Sequence, residues 1–181
     1  MQKKIALVTL FLLTVTALSF SQGDKSKRPS PPESATCDLG NGQTIKTDYS
    51  SPRMKGREIF GNGGSALVPY GKVWRTGANE ATTFVPSTEV EVGGKSVPAG
   101  SYTIFTVPNQ NEWTLIINKK TGEWGIPYKY ESDELARVPM KVSKLSSPKE
   151  DFTISYEKSG NGCTMNIEWA TTKASVDIKA K

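Results

Sequence analysis

Ser101-Tyr102-Thr103-Ile104-Phe105-Thr106-Val107, then Pro108-Asn109-Gln110-Asn111, then Trp113-Thr114-Leu115-Ile116-Ile117 reads as two strands joined by a polar turn. Both runs are rich in β-branched and aromatic residues, and apolar side chains occupy odd and even positions alike. A strand that is apolar on both faces belongs in the middle of a sheet that is covered on each side. Trp113, at the head of the second run, is accordingly expected in the core.

The same grammar extends outward. Val90-Glu91-Val92, Gly93-Gly94 and Lys95-Ser96-Val97 form a hairpin pattern, and Pro98-Ala99-Gly100 turns the chain into the central pair. Near the start, Cys37 and Leu39 alternate with polar neighbours, Gly40-Asn41-Gly42 makes a tight turn, and Ile45 to Tyr49 returns. Toward the end, Val138, Met140 and Val142 line one face of a strand, and Phe152, Ile154 and Tyr156 line one face of the next. After Gly160-Asn161-Gly162, Cys163, Met165, Ile167 and Trp169 share a face, as do Ala174, Val176 and Ile178 in a last strand.

About nine or ten short strands with no βαβ alternation predict an all-β domain, an antiparallel β-sandwich, with a β-barrel as the alternative closure. Apolar content of 36% in 181 residues supports one core. The domain is expected over residues 35–181. Ahead of it, residues 22–34 are polar and proline-rich, with nothing large to bury, and read as a flexible tether that folding does not require.

Met1-Gln2-Lys3-Lys4, the uncharged run Ile5 to Phe20 and the small residues around Ser21 have the organisation of a signal peptide, residues 1–21, cleaved after Ser21. The run is shorter than the roughly 20 residues a membrane span needs, and no cysteine follows it for lipid attachment. The expected location is therefore periplasmic or extracellular, with no stable membrane anchor after cleavage. Lys3 and Lys4 supply two units of the net charge of +5, Lys25, Lys27 and Arg28 sit in the tail, and most other cations alternate with acids. No basic stripe suited to nucleic acid results.

Two cysteines are present, and Cys37 and Cys163 both point inward by alternation. In an oxidising compartment that pairing predicts a disulfide between the first strand and a strand near the end. Histidine is absent altogether, which excludes Ser-His-Asp and Cys-His catalysis and imidazole-ligated zinc. No metal site and no cofactor motif is expected. Gly56 and the Gly61-Asn62-Gly63-Gly64 stretch lack the Lys-Ser/Thr ending of a phosphate loop.

Chemistry concentrates from Leu67 to Phe84, where strand alternation breaks. Arg75, Asn79, Glu80 and Thr82 follow Tyr70 and Trp74, a set able to orient a polar ligand beside aromatic rings. The competing structural reading is an internal Arg75–Glu80 ion pair with Asn79 and the threonines satisfying backbone groups. Trp124, in a glycine-bounded loop with Tyr128, is open to either a surface or a buried placement.

The runs Ser51 to Gly61, Leu67 to Gly71 and Val73 to Thr82 resemble the bacterial family called domain of unknown function 2911, as do Gly93-Gly94-Lys95, Pro98 to Tyr102, Trp124-Gly125 and Glu168-Trp169. The resemblance covers the domain from Ala35 onward and implies an exported bacterial domain without an assigned reaction. The expected role is a non-enzymatic binding module for a small polar ligand, an envelope glycan or another envelope partner. The alternative is a hydrolase acting on glycans with a carboxylate pair that includes Glu80.

Overall fold

In the computed structural model, which describes residues 24–181, the central runs form β8 (Tyr102–Val107) and β9 (Glu112–Asn118). They pair antiparallel, from Thr103 opposite Asn118 to Val107 opposite Thr114. Their two apolar faces serve two clusters. Ile104, Trp113, Leu115 and Ile117 enter the main core, while Phe105 and Ile116 pack with Ala81 and Tyr130 on the opposite face. The segment from Gly122 to Tyr130 thus covers the outside of these strands and fixes where Trp124 sits. The expected leader, residues 1–21, lies outside the described residues.

Both short hairpins form where the turn residues indicate. β1 (Pro32–Gly40) and β2 (Gln43–Ser50) are joined through Asn41 and Gly42, whose φ of 53° and 74° give the left-handed turn that Asn-Gly accommodates. β6 (Val90–Val92) and β7 (Lys95–Val97) are joined through Gly93-Gly94. β5 (Thr83–Pro86) lies between β2 and β8.

The C-terminal region departs from expectation. Four short runs are replaced by two long strands, β10 (Glu134–Ser159) and β11 (Gly162–Ala180). Ser146-Ser147-Pro148 suggests a break because proline cannot donate to a ladder. The chain instead absorbs the extra residues in register shifts between Lys144 and Thr153, opposite Ala170, whose φ is 51°. Bulges of this kind bend a strand without ending it.

One antiparallel sheet of nine strands results, in the order β1-β2-β5-β8-β9-β10-β11-β6-β7, beside a small parallel pair, β3 (Phe60–Gly61) and β4 (Val68–Pro69). The bent strands bring the sheet back over itself. β1 and β2 pack against the far halves of β10 and β11, where the Thr47 and Tyr156 hydroxyls lie 2.6 Å apart and the Cys37–Cys163 disulfide forms. The Met54 amide donates to the Glu150 carbonyl at 2.8 Å and the Phe152 amide to that of Pro52 at 2.9 Å. These bonds stitch the seam without closing a barrel.

Between the layers, Tyr49, Phe60, Trp74, Trp113, Phe152 and Trp169 form a continuous aromatic cluster with edge-to-face contacts. Trp74 and Trp169 alone among them stack, at 5.9 Å and 17°.

Ordered pairing starts ahead of the expected boundary at Ala35. Pro32, Glu33 and Ser34 lie opposite Ser50, Tyr49 and Asp48, and the Ser51 amide donates to the Pro31 carbonyl at 2.9 Å. The end of the segment read as a tether is an edge strand, held by backbone bonds that need no apolar side chain. Truncation after Gly23 is expected to leave the melting midpoint unchanged, whereas truncation after Ser34 lowers it. Equal midpoints for the two would show the early pairing to be energetically idle.

Candidate functional site

The irregular block leaves β4 and enters β5. Trp74 is tied to β8 by reciprocal backbone bonds with Thr106, at 2.8 and 2.9 Å, and its indole N–H donates to the Gly77 carbonyl at 3.1 Å. Thr76 is buried with φ at 55°, an uncommon conformation for a β-branched residue. It is held there by the Thr106 hydroxyl at 3.1 Å and by the Thr82 hydroxyl, which donates to its carbonyl at 2.6 Å. Gly77 is required: a Cβ there would come within 2.9 Å of the Ser50 carbonyl oxygen.

Such packing sorts the expected site residues into separate places. Thr82 is fully buried and structural. Trp74 is 8% exposed and mainly core. Asn79 spends its amide on the Ser30 carbonyl, at 3.0 Å. Tyr70 faces a different hollow, with Asn62 and the Asn109–Asn111 turn. Arg75 and Glu80 do not pair with each other.

Glu80 is clasped by the N-terminal segment, with one Arg28 nitrogen at 3.0 and 2.8 Å from its two oxygens and the Lys25 ammonium at 3.3 Å. Its carboxyl is held below the usual range by its own backbone amide, aided by Arg28 and Lys25 against some desolvation. Asp48 shares the small cavity of about 170 Å³ beside it but is bonded to Lys46 at 2.9 Å. A glycosidase acid needs a raised pKa, so this environment works against a general-acid role for Glu80.

A carboxyl with a depressed folded-state pKa stabilises the fold at pH above its unfolded value, near 4.5, and that contribution disappears as pH falls through the lower folded value. The clasp is partly exposed and screened, so its worth is under about 1 kcal/mol. Glu80→Gln should therefore cost little at pH 7 and converge with the parent protein as pH falls through the lowered folded-state value of Glu80. Melts across the acid range test this, and a difference between variant and parent that does not shrink as the pH is lowered would contradict the clasp.

Arg75, with Trp74 beside it, lines a separate open cavity. Its guanidinium lies 4.9 Å from the Trp124 ring centroid and donates to the Trp124 carbonyl at 3.2 Å. Burial pushes its pKa down, partly offset by the charge of Glu80. The cavity, about 370 Å³, has Trp74 and Trp169 in its lining, Val73 and Ile126 on its walls, and Arg57, Lys72 and Arg75 around it.

None of these three cations forms a salt bridge among the described residues, and no carboxylate lines the cavity. Arg57 is oriented by carbonyls instead, donating to Met54 at 3.1 Å and to Arg53 at 2.6 Å. Sequence reading missed Arg57 and Lys72 because they come from separate loops. The available signal was that each follows a glycine, Gly56 and Gly71, in runs that break alternation. Trp124 is exposed, resolving its placement.

Among the described residues, no group of three or more acids and cysteines is arranged to hold a metal ion, and no helix is long and apolar enough to cross a membrane. No curated protein and no solved structure matches the chain. The model of a family described as protein of unknown function, DUF2911, matches residues 30–178. That match spans all but the last two residues of the nine-stranded sheet and every residue of the cationic cavity, and the chain belongs to the DUF2911 family.

Proposed function

We propose that this is an exported binding module that takes a small anionic ligand in the cavity between Arg57, Lys72 and Arg75. The carrying observation is the convergence of three cations without carboxylate partners on a hollow bounded by two stacked tryptophans. Three cations at one concave surface that no carboxylate lines leave a positive potential for a ligand to complete. The partial desolvation of Arg75 strengthens each charge-assisted bond an anion would accept from it. The disulfide and the organisation of residues 1–21 support delivery to the periplasm or the exterior.

Binding to the folded state raises the melting midpoint. Organic carboxylates and phosphates should therefore stabilise the parent protein in a thermal-shift screen. Arg75→Ala should melt within a few degrees of the parent, since it removes a cation–π contact and one hydrogen bond worth about 1 kcal/mol each. It should also abolish the ligand-dependent rise. Stabilisation of parent and variant alike would place the anion elsewhere.

A further inference from the structure

Among the described residues, the large hydrophobic side chains left exposed are Leu67, Trp124 and Ile126, at 45%, 55% and 42%. All three gather at the cationic cavity. Leu67 and Ile126 line it, and Trp124 lies against Arg75, which also lines it. Exposed apolar side chains scattered singly need no explanation, but a group confined to the mouth of one cavity does. The loop carrying two of them is held in place: Gly125 has φ of 87°, and a Cβ there would come within 2.9 Å of the Ala81 methyl and 3.0 Å of the Phe105 ring. Trp124 and Ile126 flank this glycine and are turned outward while it is buried.

Resting on the anion reading above, we infer that the ligand is an amphiphile, with one anionic head group and an apolar tail. Its head meets Arg57, Lys72 and Arg75, and its tail lies over Leu67, Trp124 and Ile126. Charge complementarity favours this occupant: an apolar partner without an anion would leave the three cations uncompensated beside a freshly dehydrated surface. A bare anion would leave the apolar mouth in water. A cavity of about 370 Å³ lies in the range that accepts a small organic molecule. Head group and tail are separable requirements, and each is carried by different side chains.

Calorimetric titration of the full chain with inorganic, butyl, hexyl and octyl phosphate, each below its micellar concentration, tests the inference. Affinity should rise with chain length, by up to about fourfold per methylene that becomes buried. Leu67→Ser combined with Ile126→Ser, at exposed positions that the core does not need, should flatten the series, so that octyl phosphate binds no tighter than inorganic phosphate. Arg75→Gln should weaken every member. Equal affinity for inorganic and octyl phosphate would overturn the amphiphile and leave the anion site standing, and no binding by any member would remove both.

The source of the head group is separable as well. Quenching of Trp124 emission by vesicles of brominated phosphatidylglycerol, absent with brominated phosphatidylcholine and in Trp124→Phe, would support a lipid presented in a bilayer. Chain-length-dependent binding of the free phosphates without that quenching would support a soluble amphiphile.

Discussion

Replacing Cys37 and Cys163 by serine, or reducing the bond between them, is expected to lower the unfolding free energy by up to about 5 kcal/mol and the midpoint by about 10–20 °C. The bond closes a loop of 126 residues, so it restricts nearly the whole unfolded domain. Chain entropy sets that scale, and the native packing adds to it. Cys37 and Cys163 are 1% and 2% exposed and join the edge strand β1 to β11, where the bent sheet lies back over itself. Buried serine hydroxyls at these positions would also need hydrogen-bond partners. Thermal melts with and without a reductant that reaches the bond decide the matter. Coincident curves would show that the seam between β1 and β11 holds without the link.

Trp74→Ala is expected to cost about 3–5 kcal/mol, the range for deleting a large buried aromatic side chain. Trp74 contacts four aromatic partners, Phe60, Trp113, Phe152 and Trp169, and its indole N–H closes the turn at Gly77. Removing it leaves a void between the layers and frees the irregular segment that presents Arg75. Trp124→Ala, by contrast, should change stability by less than about 1 kcal/mol, because its ring is largely in solvent and its main contact is with Arg75. Denaturant titration of the two variants measures the contrast directly. Similar losses would mean that the aromatic cluster tolerates collapse around Trp74.

Periodicity made the central pair legible because β8 and β9 obey one rule over their full length: apolar on both faces, hence covered on both. Asn41-Gly42 and Gly93-Gly94 were equally readable, since backbone conformation there is a local matter. The long β10 and β11 were not. Ser146-Ser147-Pro148 carries a local signal for a break, and only pairing with the segment around Ala170 turns it into a bulge within a continuous strand. Likewise the edge strand from Pro32 to Ser34 has no apolar pattern, because its order comes from backbone bonds to β2.

The candidate site shows the same division. Part of its lining falls in the block from Leu67 to Phe84, which breaks alternation and concentrates polar chemistry beside aromatics. Its partnerships were not legible, because they join distant segments. Glu80 is neutralised by Arg28, 52 positions away, and Asn79 bonds Ser30, 49 positions away. Once Glu80 is claimed by the N-terminal segment, Arg75 has no acid of its own and turns toward Trp124. Arg57 and Lys72 join it only because the small β3–β4 pair brings their loops to one cavity.

Nitrogen-detected or proton-detected spectra of the arginine Nε–H and tryptophan indole N–H groups, recorded during titration with octyl phosphate, locate the ligand without presuming its effect on stability. Arg57, Arg75 and Trp124 are expected to shift together and to saturate at one concentration, while Arg28, Arg53 and Arg137, each bonded to a carboxylate, stay in place. Shifts confined to Arg28, or movement of all arginines in proportion to ionic strength, would contradict an anion site at the tryptophan-lined cavity.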